Sequence, residues 1–178
     1  MENLIDYSQL WLLLNVAIAM ALGALLGLER EYADKPAGLR THMIVAGAAA
    51  LLVSLGEPLI AHFDVTTSGS TIRTDPIRII EAIITGVSFL GAGTIIYRQS
   101  RGIVEGLTTA AALLLSAGVG ICVGLEQFTL GIGVTLLSLL TLRGVGLISE
   151  GINRHSHQEA EELEDEPADH PSVRSRPR

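Results

Sequence analysis

Residues 107–149, LTTAAALLLSAGVGICVGLEQFTLGIGVTLLSLLTLRGVGLIS, decide the fold, because they hold two long apolar windows separated only by Glu126 and Gln127. A helix needs about 20 residues to cross a hydrocarbon core of about 30 Å. The windows 107–125 and 128–149 are close to that length, and so short a connection forces neighbouring helices to run antiparallel. The stretch therefore predicts a hairpin of two transmembrane helices.

Three further windows precede this hairpin, at residues 9–28, 39–63 and 77–97. The second is interrupted by Gly56-Glu57-Pro58, so the chain would have four spans if that window were re-entrant. With 48% hydrophobic residues in 178, the chain has more apolar surface than one soluble core can bury. We therefore predict an all-α, polytopic membrane helix bundle with about five transmembrane helices.

Several protein classes do not fit the composition. The sequence has no basic stripe with interleaved aromatic residues, so we expect no nucleic-acid partner. It has no phosphate-cradling Gly-x-x-x-x-Gly-Lys loop, no His-Glu-x-x-His pair and no Gly-x-Ser-x-Gly elbow. We therefore expect no enzymatic activity and no cofactor. The lone Cys122 rules out an intrachain disulfide.

The positions of lysine and arginine predict the orientation, because cytoplasmic loops retain these residues. Only Arg73 and Arg78 fall on the side of the N-terminus, whereas the other ten of the twelve fall on the opposite side. We expect the N-terminus outside and the C-terminus in the cytoplasm.

A change of composition at position 155 separates a membrane domain, residues 1–154, from a polar tail, residues 155–178. The tail holds seven acids and three arginines and has almost no large apolar residue. Such a segment cannot bury enough surface to order itself, so we expect a disordered, acidic cytoplasmic tail. Its histidines could bind a divalent cation weakly, and a metal site elsewhere stays unknown.

The first cytoplasmic connection, residues 29–42, mixes acids and bases at the membrane surface. The start of the second helix favours an anion, because its amides are unpaired, and the two glutamates could hold a cation. The alternative is a neutral, salt-bridged loop. The candidate contact residues are Glu29, Arg30, Glu31, Lys35, Arg40, Thr41 and His42.

A second candidate feature lies in the third window. Glu81, Thr85, Ser88 and Ala92 share one helical face, and this polar stripe should face protein or water rather than lipid. The stripe could serve as an ion or proton path. Alternatively, Glu81 lies near the outer interface and pairs with Arg78.

Small residues recur every four positions in two of the windows, a spacing that lets membrane helices approach closely. We expect close packing along both stripes, which are Asn15, Ala19, Gly23 and Gly27, and Ala112, Ser116, Gly120 and Gly124.

Seven residues between positions 22 and 41 recur 68 positions later. The first two helices are therefore predicted to be a weak parallel repeat of helices three and four, related by an axis along the membrane normal. The matches pair Leu22-Gly23-Ala24 with Leu90-Gly91-Ala92, Arg30 with Arg98, Gly38-Leu39 with Gly106-Leu107, and Thr41 with Thr109.

A series of motifs across residues 9–150 resembles the MgtC/SapB membrane domain. The motifs are Gly27-Leu28-Glu29-Arg30-Glu31, then residues 35–42 (KPAGLRTH), Asp75-Pro76 with Arg78, residues 89–96 (FLGAGTII) and residues 106–111 (GLTTAA). The last motif adds Thr108 and Thr109 to the candidates. The chain departs from the family pattern at Glu105 and Leu114, and we expect no C-terminal cytoplasmic domain.

The resemblance implies a bacterial inner-membrane protein of a family linked to growth under magnesium limitation and, in pathogens, to survival in host cells. We expect a role in magnesium limitation or acid stress. A family member restrains the ATP synthase, so a membrane complex of that kind is an expected partner, beside the lipid bilayer and a homo-oligomer. Our leading hypothesis is a regulatory protein that binds a partner or sets ion balance. The alternatives are a cation transporter or channel, with magnesium as a candidate substrate, and a structural accessory subunit.

Overall fold

The computed structural model describes residues 7–56, 58–59, 76–98 and 103–144. The chain divides into two compact units, residues 1–141 and 142–178. Of the second unit, the structure describes only residues 142–144, at the end of the last helix. The candidate Asp75 and the predicted tail, residues 155–178, lie outside the described residues.

Five helices and one β-hairpin make up the described chain. The elements are α1 (Tyr7–Tyr32), α2 (Leu39–Ser54), α3 (Pro76–Thr94), β1 (Ile96–Arg98), β2 (Ile103–Glu105), α4 (Leu107–Gly124) and α5 (Phe128–Gly144). Among the described residues, α1, α3 and α4 are long and apolar enough to cross a membrane, and α2 and α5 are shorter apolar helices. The predicted all-α membrane bundle is confirmed.

The bounds of α1 and α2 differ from the predicted windows. The differences lie at the charged end of α1 and before the Gly56-Glu57-Pro58 interruption that follows α2. α1 extends to Tyr32, one turn beyond its apolar window, because its last turn carries charged residues that are held inside the fold. α2 ends at Ser54, before the Gly56-Glu57-Pro58 interruption. Its 16 residues span about 24 Å, less than the hydrocarbon core, although Leu59 continues helical bonding to the Leu55 carbonyl.

The hairpin between α3 and α4 was not predicted. β1 and β2 pair antiparallel, with Tyr97 opposite Val104. The chain enters α4 through Gly106, whose φ of 94° is left-handed and whose missing Cβ leaves room for the Thr94 carbonyl. Only glycine adopts this conformation without strain. Two short paired strands therefore lie between α3 and α4.

α2 lies at the centre of the bundle and packs against α1, α3 and α4. A Cβ at Gly23 of α1 would lie 2.6 Å from the His42 carbonyl oxygen, and one at Gly120 of α4 would overlap the Ala46 carbonyl. Both predicted stripes of small residues therefore face α2, and Ala19, Ala112 and Ser116 are buried with them. Close backbone contact stabilises this helix packing by dispersion, because the hydrophobic effect does not drive helices together in lipid.

The helix order agrees with a repeat of helix pairs. α1 packs along α2, and α3 packs along α4. α2 begins at Leu39 and α4 at Leu107, which are 68 positions apart, and each follows a glycine. The predicted rotation about the membrane normal stays a prediction.

Candidate functional site

The connection between α1 and α2 is a fixed turn rather than a loose loop. The Lys35 amide donates to the Arg30 carbonyl at 3.0 Å, and the Asp34 amide donates to the Glu31 carbonyl at 3.1 Å. Asp34 has a left-handed φ of 53°. These bonds form a Schellman helix end, in which an aspartate takes the position that glycine usually occupies.

Two side chains in the last turns of α1 form a buried ion pair. The Arg30 Nε donates to the Glu29 Oε2 at 2.5 Å, and the two side chains are 4% and 8% exposed. An ion pair removed from water in this way requires both partners, because either charge alone would be left without compensation.

Glu31 closes the connection from the other side. Its Oε2 accepts a hydrogen bond of 2.8 Å from the Leu39 amide, the first of α2. The N-cap residue of α2 is Gly38, which has no side chain to satisfy such an amide. A carboxylate eight residues earlier therefore caps α2, at the helix end where negative charge is favourable.

His42 is completely buried beneath this turn. Its Nδ1 lies 2.9 Å from the Gly38 carbonyl oxygen, and its Nε2 has no hydrogen-bond partner among the described residues. We call Glu29, Arg30 and His42 the buried triad.

The remaining charged side chains of the connection lie at the surface. We call these exposed residues the charged rim: Glu31, Asp34, Lys35 and Arg40. Thr41 is exposed beside them. The sequence grouped Glu29 to His42 as one contact surface, but the structure divides the group into a buried triad and an exposed rim.

The threonine candidates near the helix starts have different surroundings. Thr108 is exposed, whereas Thr109 is buried. In the described chain, Gly38 and Gly106 occupy the N-cap positions of α2 and α4 without a side-chain bond, so neither Thr41 nor Thr109 caps its helix.

The start of α4 lies at the same end of the bundle as the connection. α2 and α4 run in the same direction, because Gly120 meets Ala46 and Gly124 meets Ala50. Ala37 of the connection shares a core cluster with Leu113 of α4. Arg98 lies in β1, in the hairpin that leads into α4.

The polar stripe of α3 is exposed in the described structure. Glu81, Thr85, Ser88 and Ala92 are all exposed, and the buried face of α3 carries Ile83 and Val87 instead. The prediction that the stripe faces protein or water rather than lipid stays a prediction, because the exposure of these side chains does not show what lies beside them. The Thr85 hydroxyl donates to the Glu81 carbonyl at 2.8 Å.

The alternative for Glu81 was a position near the outer interface, where it snorkels or pairs with Arg78, and the described residues do not form this ion pair. Both side chains are exposed, and among the described residues the one ion pair joins Glu29 and Arg30. Within the same residues, no three His, Cys, Asp or Glu side chains gather as a metal site. The described part of the chain thus offers contact surfaces and, at this end of the bundle, a buried polar centre.

Sequence reasoning missed two features of this centre. The Glu31 cap joins residues eight positions apart, and the close approach of Gly27 to Leu39 joins two helices. A Cβ at Gly27 would lie 2.6 Å from the Leu39 Cα. The Gly-Leu-Glu-Arg-Glu motif is thus a structural unit, in which the glycine admits α2 and the charged residues hold its start.

Comparison with known proteins agrees with this architecture. The model of the MgtC family matches residues 16–150, which include all five helices except the first part of α1. The chain belongs to the MgtC family. It is a membrane protein, as the family resemblance of its motifs predicted.

Three relatives show the extent of the similarity. Protein MgtC of Salmonella typhimurium (strain LT2) is 40% identical over 71% of this chain and 49% of its own length. Protein SapB of Bacillus subtilis (strain 168) is 38% identical over 64% of this chain and 47% of its own length. YhiD of Escherichia coli (strain K12), named as a proposed magnesium transporter, is 36% identical over 71% of this chain and 56% of its own length. The chain thus spans about half the length of these relatives. No solved structure matches it.

Proposed function

We propose that this protein is a regulatory membrane protein of magnesium physiology that acts by binding a membrane partner through the charged rim. The partner class we favour is a multisubunit inner-membrane complex such as the ATP synthase. The family match and the name of the relative YhiD support the link to magnesium. The excess of lysine and arginine at this end of the bundle supports a cytoplasmic position for the rim.

The observation that carries the proposal is the ordered backbone that carries the exposed charges. Asp34 and Lys35 form part of the Schellman turn, and Glu31 is held by its bond to the α2 amide. Arg40 stands in the first turn of α2. Charges with a fixed spacing lose little conformational entropy on binding, so they recognise a partner better than charges on a loose loop.

The buried triad has a supporting role in this proposal. Glu29, Arg30 and His42 are almost completely buried, so a protein partner does not touch them directly. They fix the backbone that carries the rim. Loss of a triad residue therefore removes function together with stability, whereas loss of Lys35 or Arg40 on the rim removes function alone.

Growth of the host strain at low magnesium tests this division. Arg40→Gln and Lys35→Gln should impair growth while immunoblots show unchanged amounts of the protein in the membrane. Arg143→Gln is the matched control, because Arg143 is an exposed arginine at the end of α5. Equal sensitivity of all three variants would contradict a specific role for the rim.

A cation transporter is the second candidate, favoured by the exposed polar stripe of α3. In a membrane, Glu81, Thr85 and Ser88 need water or another helix beside them, and a second copy of the chain could enclose them as a path. Purified protein in liposomes, assayed for magnesium flux, separates the two functions. Flux that Glu81→Gln abolishes favours the transporter, and its absence together with the rim phenotype favours the regulator.

A further inference from the structure

A second polar centre lies at the opposite end of the bundle, where α1 begins and α2 and α4 end. A cavity of about 500 Å³ opens there between α1, α2, α3 and α4. Most of its wall is apolar and comes from Leu12, Val53, Ile79 and Leu125. Asn15, Ser54 and Glu126 also line it. Ligand sites have this size and character, with an apolar wall and a few polar groups that fix orientation.

Asn15 is the group that points to a ligand. Its side chain is 1% exposed, and its Oδ1 has no hydrogen-bond partner among the described residues. A buried amide oxygen without a partner costs about 1–3 kcal/mol, so it needs a donor that the described protein residues do not supply. An apolar residue at position 15 would avoid this cost.

Glu126 gives the cavity its charge. Its φ of 60° places it in the left-handed position of a second Schellman end, since the Gln127 amide donates to the Cys122 carbonyl and the Glu126 amide to the Val123 carbonyl. Glycine is the usual residue there. One oxygen of the Glu126 carboxylate accepts a 2.7 Å bond from the Trp11 indole, which fixes the carboxylate beside the cavity.

The remaining polar groups of the wall are acceptors or hydroxyls. Ser54 donates only a long bond of 3.4 Å, to the Gly124 carbonyl. No lysine, arginine or histidine belongs to the described wall. One glutamate, one asparagine and one serine thus line a largely apolar space, which favours a ligand that brings donors and positive charge.

We propose that this cavity binds a protonated amine, a primary ammonium group carried on a small apolar body. An ammonium group has three donors and no acceptor, which matches the acceptors Asn15, Ser54 and Glu126. The apolar wall receives the hydrocarbon part. A bare metal ion fits less well, because hard cations require about six oxygen ligands and the described wall has a single carboxylate that already bonds Trp11. This inference does not depend on the function proposed above.

Trp11 provides the readout, since it is the only tryptophan in the sequence and bonds Glu126 directly. The full chain in phosphatidylcholine nanodiscs is titrated at pH 7 with n-butylamine, with n-butanol and with MgCl2. We expect a saturable change of tryptophan emission with butylamine, at a concentration about tenfold below any effect of butanol, the difference made by one charge-assisted hydrogen bond.

The variants separate charge from folding. Glu126→Gln keeps an oxygen for Trp11 but should abolish the preference for the amine over the alcohol. Glu126→Asp keeps the charge and should retain the preference. Asn15→Ala should weaken binding about threefold to tenfold, the range for one neutral hydrogen bond. Gln127→Ala, an exposed neighbour that does not line the cavity, is the matched control and should bind normally.

The source of the amine is tested with nanodiscs that contain phosphatidylethanolamine. A lipid ammonium group that occupies the cavity would compete with butylamine and raise its apparent Kd in these nanodiscs. An unchanged Kd would indicate that the natural ligand is a free amine. Both results support the proposed chemistry. The proposal is overturned if butanol acts as well as butylamine, or if Glu126→Gln binds normally. It is equally overturned if MgCl2 displaces butylamine at concentrations below those at which butylamine itself binds.

Discussion

Glu29→Gln is expected to destabilise the protein strongly rather than to remove a surface contact. The Glu29 and Arg30 side chains are 8% and 4% exposed and form an ion pair. Breaking a buried pair costs about 3–5 kcal/mol, because the remaining charge is left without compensation, whereas an exposed pair contributes at most about 1 kcal/mol. Unfolding in sodium dodecyl sulfate, followed by the loss of helical circular dichroism, measures this difference in free energy.

A double variant distinguishes a buried charge from simple loss of packing. Glu29→Gln combined with Arg30→Met removes both charges and should recover most of the lost stability. Arg40→Gln, which changes an exposed arginine nearby, should change the free energy of unfolding by less than about 0.5 kcal/mol. The reasoning is refuted if Glu29→Gln costs less than about 1 kcal/mol, or if the double variant is less stable than the single one.

Three further predictions concern the backbone, the topology and the tail. Gly106→Ala should cost at least about 2 kcal/mol in the same unfolding assay, because an alanine is strained at a φ of 94° and its Cβ would overlap the Thr94 carbonyl. Gln127→Cys in a Cys122→Ala background should react with a membrane-impermeant thiol reagent on intact cells, and labelling only after lysis would show the opposite orientation. Deletion of residues 157–178 should leave membrane insertion and helical content unchanged, and loss of folded protein would show that the tail is part of the fold.

The sequence predicted the bundle well where spacing alone decides contacts. Small residues at every fourth position lie on one helical face, so the burial of Ala19, Gly23 and Gly120 follows from the pattern. The end of α2 at Ser54 was not predicted, because the window 39–63 was read as one apolar span with an interruption at Gly56-Glu57-Pro58. The hairpin at residues 96–105 was not predicted either, because its two strands of three residues are too short for a periodic signal.

The candidate site was predicted as a set of residues but not as an arrangement. The density of charge marked residues 29–42, yet the sequence does not show that Glu29 turns inward while Lys35 stays outside. That division depends on the close contact of α1 with α2 at Gly27, which is tertiary. The same limit applies to Glu81, since hydropathy places it in a span but does not determine what lies beside it.

Site-specific photo-crosslinking in living cells tests the central claim most directly. A photoreactive amino acid is placed at Arg40, on the charged rim, and at Arg143 as the exposed control on α5. The account predicts a discrete crosslinked product with another membrane protein from position 40 at low magnesium, and none from position 143. Identical products from both positions, or products from position 40 that contain only this chain, would contradict the claim that the rim binds a membrane partner.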